Sequence, residues 1–364
     1  MADIAMPLSA IAQSRGGDRR ALGRVTLVGL VVLLAIAALV SLATGASGVS
    51  GLSVIGNWLG LVDANDPGVV RDRLIIYDIR LPRMALGMLV GAGLAVSGAV
   101  MQGLFRNPLA DPGLVGVSAG ASLGAVGVIV LGGSVLAPIT AMLGIFALPI
   151  AAFIGGLLTT LVLYSVATRR GQTAVATMLL AGIAISAFAG AITGVLIYLA
   201  NDTQLRDLTF WNLGSLAGAN WNKVLAASLP IVGGTAVALT LSGGLNAITL
   251  GEATAHHLGI PVQRLKAMAI VAVAAAVGAS VAVSGGIGFV GIVVPHVLRL
   301  VMGPDNRYLL PGSALLGAAF LLVADAVSRV IVAPAELPIG IVTAAVGGPF
   351  FLWILLRRRG QLWD

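Results

Sequence analysis

Residues 84–105 read MALGMLVGAGLAVSGAVMQGLF, 22 residues with five glycines and no charged side chain. At 1.5 Å per residue a helix of this length is about 33 Å long, enough to cross the hydrocarbon core of a bilayer. Its glycines let a neighbouring backbone come close, which is how helices pack in lipid. The stretch therefore predicts a spanning helix inside a tight bundle, and the rest of the chain agrees. Of 364 residues, 58% are hydrophobic and 10% charged, whereas an ordinary globular domain carries about a quarter charged residues. One water-soluble core has no room for so many long apolar runs. In lipid, backbone polar groups are satisfied within helices or closed barrels, and runs of this length select helices.

Comparable runs predict spans at 25–45, 84–105, 113–133, 139–167, 174–200, 222–242, 265–284, 286–302, 308–331 and 338–356. The expected fold is an all-α polytopic membrane protein of about ten transmembrane helices. It comprises a cytoplasmic N-terminal tail (1–24), a single transmembrane domain (25–356) and a cytoplasmic C-terminal tail (357–364). The run Val25 to Leu42 follows Arg15, Arg19, Arg20 and Arg24; it is longer than a signal-peptide core and reads as the first membrane anchor. Gly285 and Gly286 predict a turn between spans seven and eight, since glycine accepts the dihedrals of a tight reversal.

The formal charge of +7 would invite a nucleic-acid reading in a soluble protein, but here its distribution follows the membrane. With the N-terminus in the cytoplasm, fourteen Lys and Arg residues fall inside and seven outside, as the positive-inside bias requires. An even number of spans returns Arg357, Arg358 and Arg359 to the cytoplasm. There is no cysteine, so disulfides and thiolate metal sites are excluded. A shift of 187 positions lays Val90–Gly98 over Val277–Gly285 and Pro108 over Pro295. Spans two and seven are an odd number of crossings apart, so this echo predicts an inverted repeat of spans two to five and seven to ten. Chance matching among Gly, Ala and Val is the alternative.

Three segments carry more than apolar length. Between spans two and three, Gln102 to Ala121 contains Asn107-Pro108 and Asp111-Pro112; two prolines so close force an ordered break. Asp111 is placed to accept backbone N–H groups at the next helix start, with Pro112 in its first position. The segment Leu250 to Pro261 is expected in the cytoplasm. Glu252 near its start and Gly259 near its end suit a short capped helix, a rigid ridge for a partner; an amphipathic interfacial loop is the competing reading. Arg80, Arg83 and Arg329 lie at the outer surface, against the charge bias. They are candidates for bidentate contacts with carboxylates of an incoming protein, or else for snorkelling and local pairing with Asp78 and Asp325.

Taken in order, Ile79–Arg83, Gly98–Gln102, Arg106–Ser118, Leu250–Gly259, Gly288–His296 and Ala335–Gly340 resemble the iron-chelate and vitamin B12 permease family of the FecCD type, from about residue 25 to the C-terminus. The resemblance implies ten helices per subunit and a pore between two copies of the chain. It also implies two cytoplasmic ATPase subunits that hold ATP and Mg2+, and a periplasmic substrate-binding protein above. By the same resemblance Arg80, Arg83 and Arg329 dock the binding protein. The ATPase-coupling segment would be Leu250, Gly251, Glu252, Ala253, His256, His257, Leu258 and Gly259. At the cytoplasmic gate the vitamin B12 permeases carry a Thr-Ser pair, where this chain places Val175 and Ala176, with Thr173 and Thr177 nearby. Leu213–Trp221 and Val332–Gly340 look most like the haem-import branch, ahead of siderophore and vitamin B12 permeases.

The chain itself carries no signature of catalysis. Its two lysines, Lys223 and Lys266, follow asparagine and leucine, so no Gly-Lys-Ser/Thr phosphate loop exists and the energy source is another polypeptide or an ion gradient. A gradient-driven carrier keeps ionisable groups near the midplane; Asp325 and His296 are the nearest candidates, and neither is expected there. Adjacent His256 and His257 point about 100° apart on a helix, which disfavours a shared metal. No cofactor, metal or nucleic acid is expected in this chain. The expected cargo is an iron chelate such as haem, carried across a bacterial inner membrane.

Overall fold

The computed structural model describes residues 19–45 and 66–358. In chain order the helices begin with α1 (Arg19–Ala43) and α2 (Pro67–Leu74), which runs through a π-helical turn at Ile75–Arg80 into α3 (Leu81–Leu104). There follow α4 (Val117–Leu131), α5 (Ala137–Leu143) and α6 (Ala147–Ala167), then a hairpin of β1 (Thr168–Arg169) and β2 (Gln172–Thr173). Next come α7 (Val175–Tyr198), α8 (Asp202–Leu213), α9 (Trp221–Thr240), α10 (Ser242–Thr249) and α11 (Glu252–His257). The described chain ends with α12 (Val262–Ser284), α13 (Val290–Met302), α14 (Asn306–Val330) and α15 (Ile339–Arg358).

Seven stretches are long and apolar enough to cross a bilayer, and three shorter apolar helices accompany them. Each of the ten predicted spans holds one of these. α1 begins at Arg19, inside the predicted N-terminal tail, and α15 reaches Arg358; residues 1–18 and 359–364 of the two tails lie outside the described residues. The hairpin and α8 are additions to the prediction. α8 starts at a reciprocal cap: the Asn201 side chain accepts from the Gln204 N–H at 2.9 Å, and the Asn201 N–H donates to the Gln204 side chain at 3.0 Å.

Two of the shorter helices show where the chain departs from plain spanning. α4 has 15 residues and α13 has 13, so each is roughly 20 Å long and falls short of the hydrocarbon thickness. Their missing turns are the breaks at 105–116 and 285–289. Non-helical backbone at membrane depth is tolerated only where protein or a cavity surrounds it, and these two breaks lie against each other. Pro112 packs beside Gly291, and the Gln102 amide donates to the Gly291 carbonyl at 3.2 Å. Asp111 accepts from the Gly113 N–H at 2.7 Å, with Pro112 opening a short 3-10 turn (Pro112–Val115) and Gly116, at φ +75°, leading into α4. A cavity of about 260 Å3 remains between the breaks, lined by Asp111, Ser118, Trp211, Asn212 and Phe289.

At the centre of the bundle, α3 is buried almost continuously from Leu86 to Leu104. It runs antiparallel to α14: Arg83 faces Asp325, Gly91 meets Gly317, and Gly103 lies near Asn306. It also runs opposite to α12, because the start of α3 and the end of α12 lie at one level, Gly87 beside Leu216 and Gly285 beside Gly214. The segments Val90–Gly98 and Val277–Gly285 thus sit on helices of opposite sense. The proline correspondence needs correcting. Pro108 lies in the non-helical break after α3 whereas Pro295 lies inside α13, because the connection after α12 is shorter and the two registers part beyond the shared glycine.

At Gly98 a Cβ would collide with the backbone of Gly291, carbonyl oxygen included, so the α3–α13 crossing has no space for a side chain. Gly29 on α1 has nothing within 4 Å of such an atom. Gly98→Ala should destabilise the protein by on the order of 1–3 kcal/mol through overpacking, whereas Gly29→Ala should be neutral or stabilising. Thermal unfolding of the two variants in detergent checks this; equal melting temperatures would remove the close crossing as a constraint.

Candidate functional site

The bundle has two polar ends, and each gathers residues that the sequence marks. At the first, all three arginines turn inward. Arg80, Arg83 and Arg329 are 5%, 7% and 6% exposed, and Asp325 is 1% exposed. Asp325 is the hub. Arg83 meets both carboxylate oxygens, Nη2 lying 2.9 Å from Oδ1 and Nε 3.0 Å from Oδ1 and 3.2 Å from Oδ2, and Arg329 Nε lies 3.1 Å from Oδ2. Fork-shaped pairing of this kind suits arginine and not lysine. The remaining donors are used as well. Arg83 Nη1 reaches the half-exposed Glu336 at 2.9 Å. Arg329 donates to the Thr44 carbonyl at 2.8 Å and to the Ser41 carbonyl and hydroxyl at 3.1 Å each, and Arg80 donates to the Leu42 carbonyl.

These carbonyls are the unsatisfied acceptors at the C-terminal end of α1, where cations are favoured by the helix dipole. Two arginines from elsewhere in the chain therefore cap α1, and Asp325 ties α3 to α14. The arginines are not splayed toward solvent. They remain reachable through one cleft of about 310 Å3, which Ile75, Ile79, Arg80, Arg83, Arg329 and Glu336 line together. Of the two carboxylates considered for local pairing, Asp325 serves and Asp78 is exposed. Glu336 adds a second carboxylate to Arg83.

At the opposite end lies α11. Its start is Gly251 at φ +110°, a conformation that glycine accepts most readily; its end is closed by the Gly259 N–H donating to the His256 carbonyl at 2.9 Å and the Ile260 N–H to the Ala255 carbonyl at 3.0 Å. Ala255 is fully buried and anchors the turn, while Leu250 and Leu258 are 67% and 62% exposed. Ala253, His256, His257 and Gly259 are exposed too. The expected short capped helix is present, and its apolar flanks project outward. Beside it runs an open groove of about 530 Å3, lined by Gln172, Glu252, Ala253, His256 and Gln263. Glu252, open to this groove on one side, has its carboxylate 2.7 Å from the buried Nζ of Lys266.

Thr173 is buried at the foot of α7; Val175 is half-buried, and Ala176 and Thr177 are exposed. α7 itself is apolar yet shows little buried surface, with Leu180, Ile183, Phe188, Val195 and Tyr198 each more than 60% exposed. A helix apolar all round and barely covered by its own chain belongs against lipid or another apolar surface. The structure thus brings Thr173 and Glu252 together through Lys266 and keeps Val175, Ala176 and Thr177 on the open face. Sequence reasoning missed Lys266 and Gln263. The signal was a lone lysine entering an apolar helix, which counts only as interior charge until its partners are known.

Removing the hub carboxylate leaves two buried guanidinium groups facing each other, an uncompensated state that costs about 3–5 kcal/mol. Asp325→Asn should therefore lower the melting temperature in detergent sharply, whereas Glu336→Gln, at a half-exposed partner, should change it little. Equal effects would refute the ranking.

The sequence matches the FecCD transport family over residues 33–357. It is 48% identical over 287 residues to a hemin transport system permease protein of Yersinia pestis, covering 79% of this chain and 84% of the relative. It is 45% identical over 286 residues to a cobalamin import system permease protein of Halobacterium salinarum, covering 79% and 74%. Among solved structures, an inward-facing metal-chelate type ABC transporter superposes with a TM-score of 0.78 at 32% identity, covering 91% of this chain and 98% of that one. With the apolar bundle and its two polar ends, these matches establish that the chain belongs to the FecCD transport family, as the membrane permease of an ABC importer of the metal-chelate type.

Proposed function

We propose that this permease carries haem across the inner membrane of a bacterium, two copies of the chain forming the pathway between them. The observation that carries the haem reading is the 48% identity to the hemin permease of Yersinia pestis; the cobalamin permease of Halobacterium salinarum is 45% identical. The open apolar flank of α7 supports a second copy as its neighbour, because a pathway wide enough for a large chelate needs walls from more than one bundle. The α7 wall, apolar and without charged side chains, favours passage over capture.

In this reading the α11 end is cytoplasmic and two ATPase subunits grip its exposed ridge, with ATP and Mg2+ held entirely by them. Leu250 and Leu258 supply the apolar contacts that such a grip needs. A periplasmic binding protein docks at the opposite end, its carboxylates entering the arginine-lined cleft in competition with Glu336. Asp325 is already engaged by Arg83 and Arg329, which disfavours its use as the site of a coupling ion in a gradient-driven carrier.

Liposomes containing this permease, its ATPase and the binding protein should take up hemin in an ATP-dependent manner, and the binding protein should co-purify with a Soret band. Uptake of cobalamin but not hemin would overturn the haem assignment. Docking has its own test, which spares the internal ion pairs. Ile79 is 55% exposed and lines the arginine cleft, so Ile79→Glu sets a repelling charge before an incoming carboxylate. Binding-protein affinity should fall about tenfold, mainly through like-charge repulsion; unchanged affinity would exclude the cleft.

A further inference from the structure

Lys266 is a charge buried where the apolar pattern of its helix gives no reason for one. It sits near the start of α12, is 2% exposed, and ranks among the largest fully buried side chains of the described chain. Burying an ammonium is costly unless its hydrogens are accepted. The Glu252 carboxylate accepts at 2.7 Å and the Thr173 carbonyl at 2.8 Å. These acceptors belong to different elements. Glu252 opens α11, the ridge assigned to the ATPase, and Thr173 ends the hairpin two residues before α7.

The hold on Thr173 is double. Its N–H donates to the Gln263 side chain at 2.8 Å, so α12 grips the N–H and the carbonyl of one residue. Its hydroxyl lies 2.9 Å from that of Thr168 across the hairpin. Arg170 and Gly171, with φ of +53° and +75°, make the tight turn that matches a two-residue hairpin. No flexible stretch intervenes between Thr173 and the first turn of α7 at Val175. The chain α11, Lys266, Thr173, α7 is thus continuous through short, charge-assisted bonds, the physical kind of connection that long-range coupling requires.

We infer that Lys266 is a positioning residue that clamps the ATPase-facing helix α11 to the foot of α7, so that a displacement of α11 moves Val175, Ala176 and Thr177 with it. The inference rests on the proposed function, since it takes α11 as the ATPase contact. Simple neutralisation of Glu252 does not account for the arrangement. Glu252 is 39% exposed and is accessible to solvent without a partner, whereas the bonds to Thr173 do nothing for its charge.

The test compares variants in liposomes with the assembled importer. Lys266→Met keeps the buried volume and removes the donors; it should still assemble with the ATPase and hydrolyse ATP. Its ratio of chelate moved to ATP hydrolysed should fall about fivefold or more, the lower edge of typical coupling effects. Lys266→Met combined with Glu252→Met should cost no more than Lys266→Met alone, because both act through one link. A wild-type ratio in Lys266→Met would overturn the clamp. The absence of native cysteine permits a second measurement. Spin labels at Gln172→Cys and Ala253→Cys, both exposed, should keep one intramolecular separation with and without nucleotide in an otherwise wild-type complex. With Glu252→Gln added, which leaves Lys266 in place and is the recourse where Lys266→Met does not assemble, that separation should broaden. A separation that changes with nucleotide in the wild-type background, or stays equally sharp with Glu252→Gln, also overturns the clamp. Failure of wild-type liposomes to transport any chelate would instead count against the proposed function.

Discussion

Inside hydrocarbon, an apolar helix gains nothing by turning one apolar face toward another, so a membrane bundle is held by backbones brought near enough for dense contact. This constraint runs through α3. Gly91 meets Gly317 on α14, Gly98 meets Gly291 on α13, and Gly93 lies against Ile231 of α9 and Ser280 of α12. The same device recurs away from the centre, where Gly120 and Gly124 of α4 meet Gly155 and Ala151 of α6. Because α3 can be approached on several sides, it becomes the axis around which the longer helices are arranged. The two breaks, which expose backbone polar groups, are tolerated because protein and one shared cavity surround them.

Charge is handled by the complementary rule that a buried ion must find its partners within the protein. Asp325 satisfies Arg83 and Arg329 at one end, and Glu252 with the Thr173 carbonyl satisfies Lys266 at the other. Both networks join elements distant in sequence, and they lie at the two polar ends of the bundle. A permease has to be rigid enough to transmit force and open enough to release cargo. The buried axis of α3, α12 and α14 suits the first demand, and α7, sparsely covered by its own chain, stands apart from that axis.

Much of this architecture is legible in the sequence because it depends on local quantities. Apolar length located ten helices, Gly285 and Gly286 marked the turn after α12, and Asp111-Pro112 marked a helical start that the structure realises as one 3-10 turn before α4. Where the reading fell short, non-local contact was decisive. The hairpin before α7 has only two residues per strand and is held by Gln263 and Lys266 of another helix. The arginines that oppose the charge bias read as surface groups along the chain, and only the fold shows that two of them also close the end of α1.

The sequence by itself determined that this chain lives in a bilayer, roughly where it crosses, and, through its motifs, to which family it is akin; these follow from residue type and spacing along one dimension. Only the tertiary structure decided which charges are spent internally, which face of α7 stays open, and that Lys266 bonds both α11 and the hairpin that precedes α7. The physical reason is distance along the chain. Arg83 and Asp325 are 242 residues apart, and Thr173 and Lys266 are 93 apart, so neither pairing has a periodicity to betray it. Each exists because close helix packing brings its partners within reach in a medium that offers a buried charge nothing else.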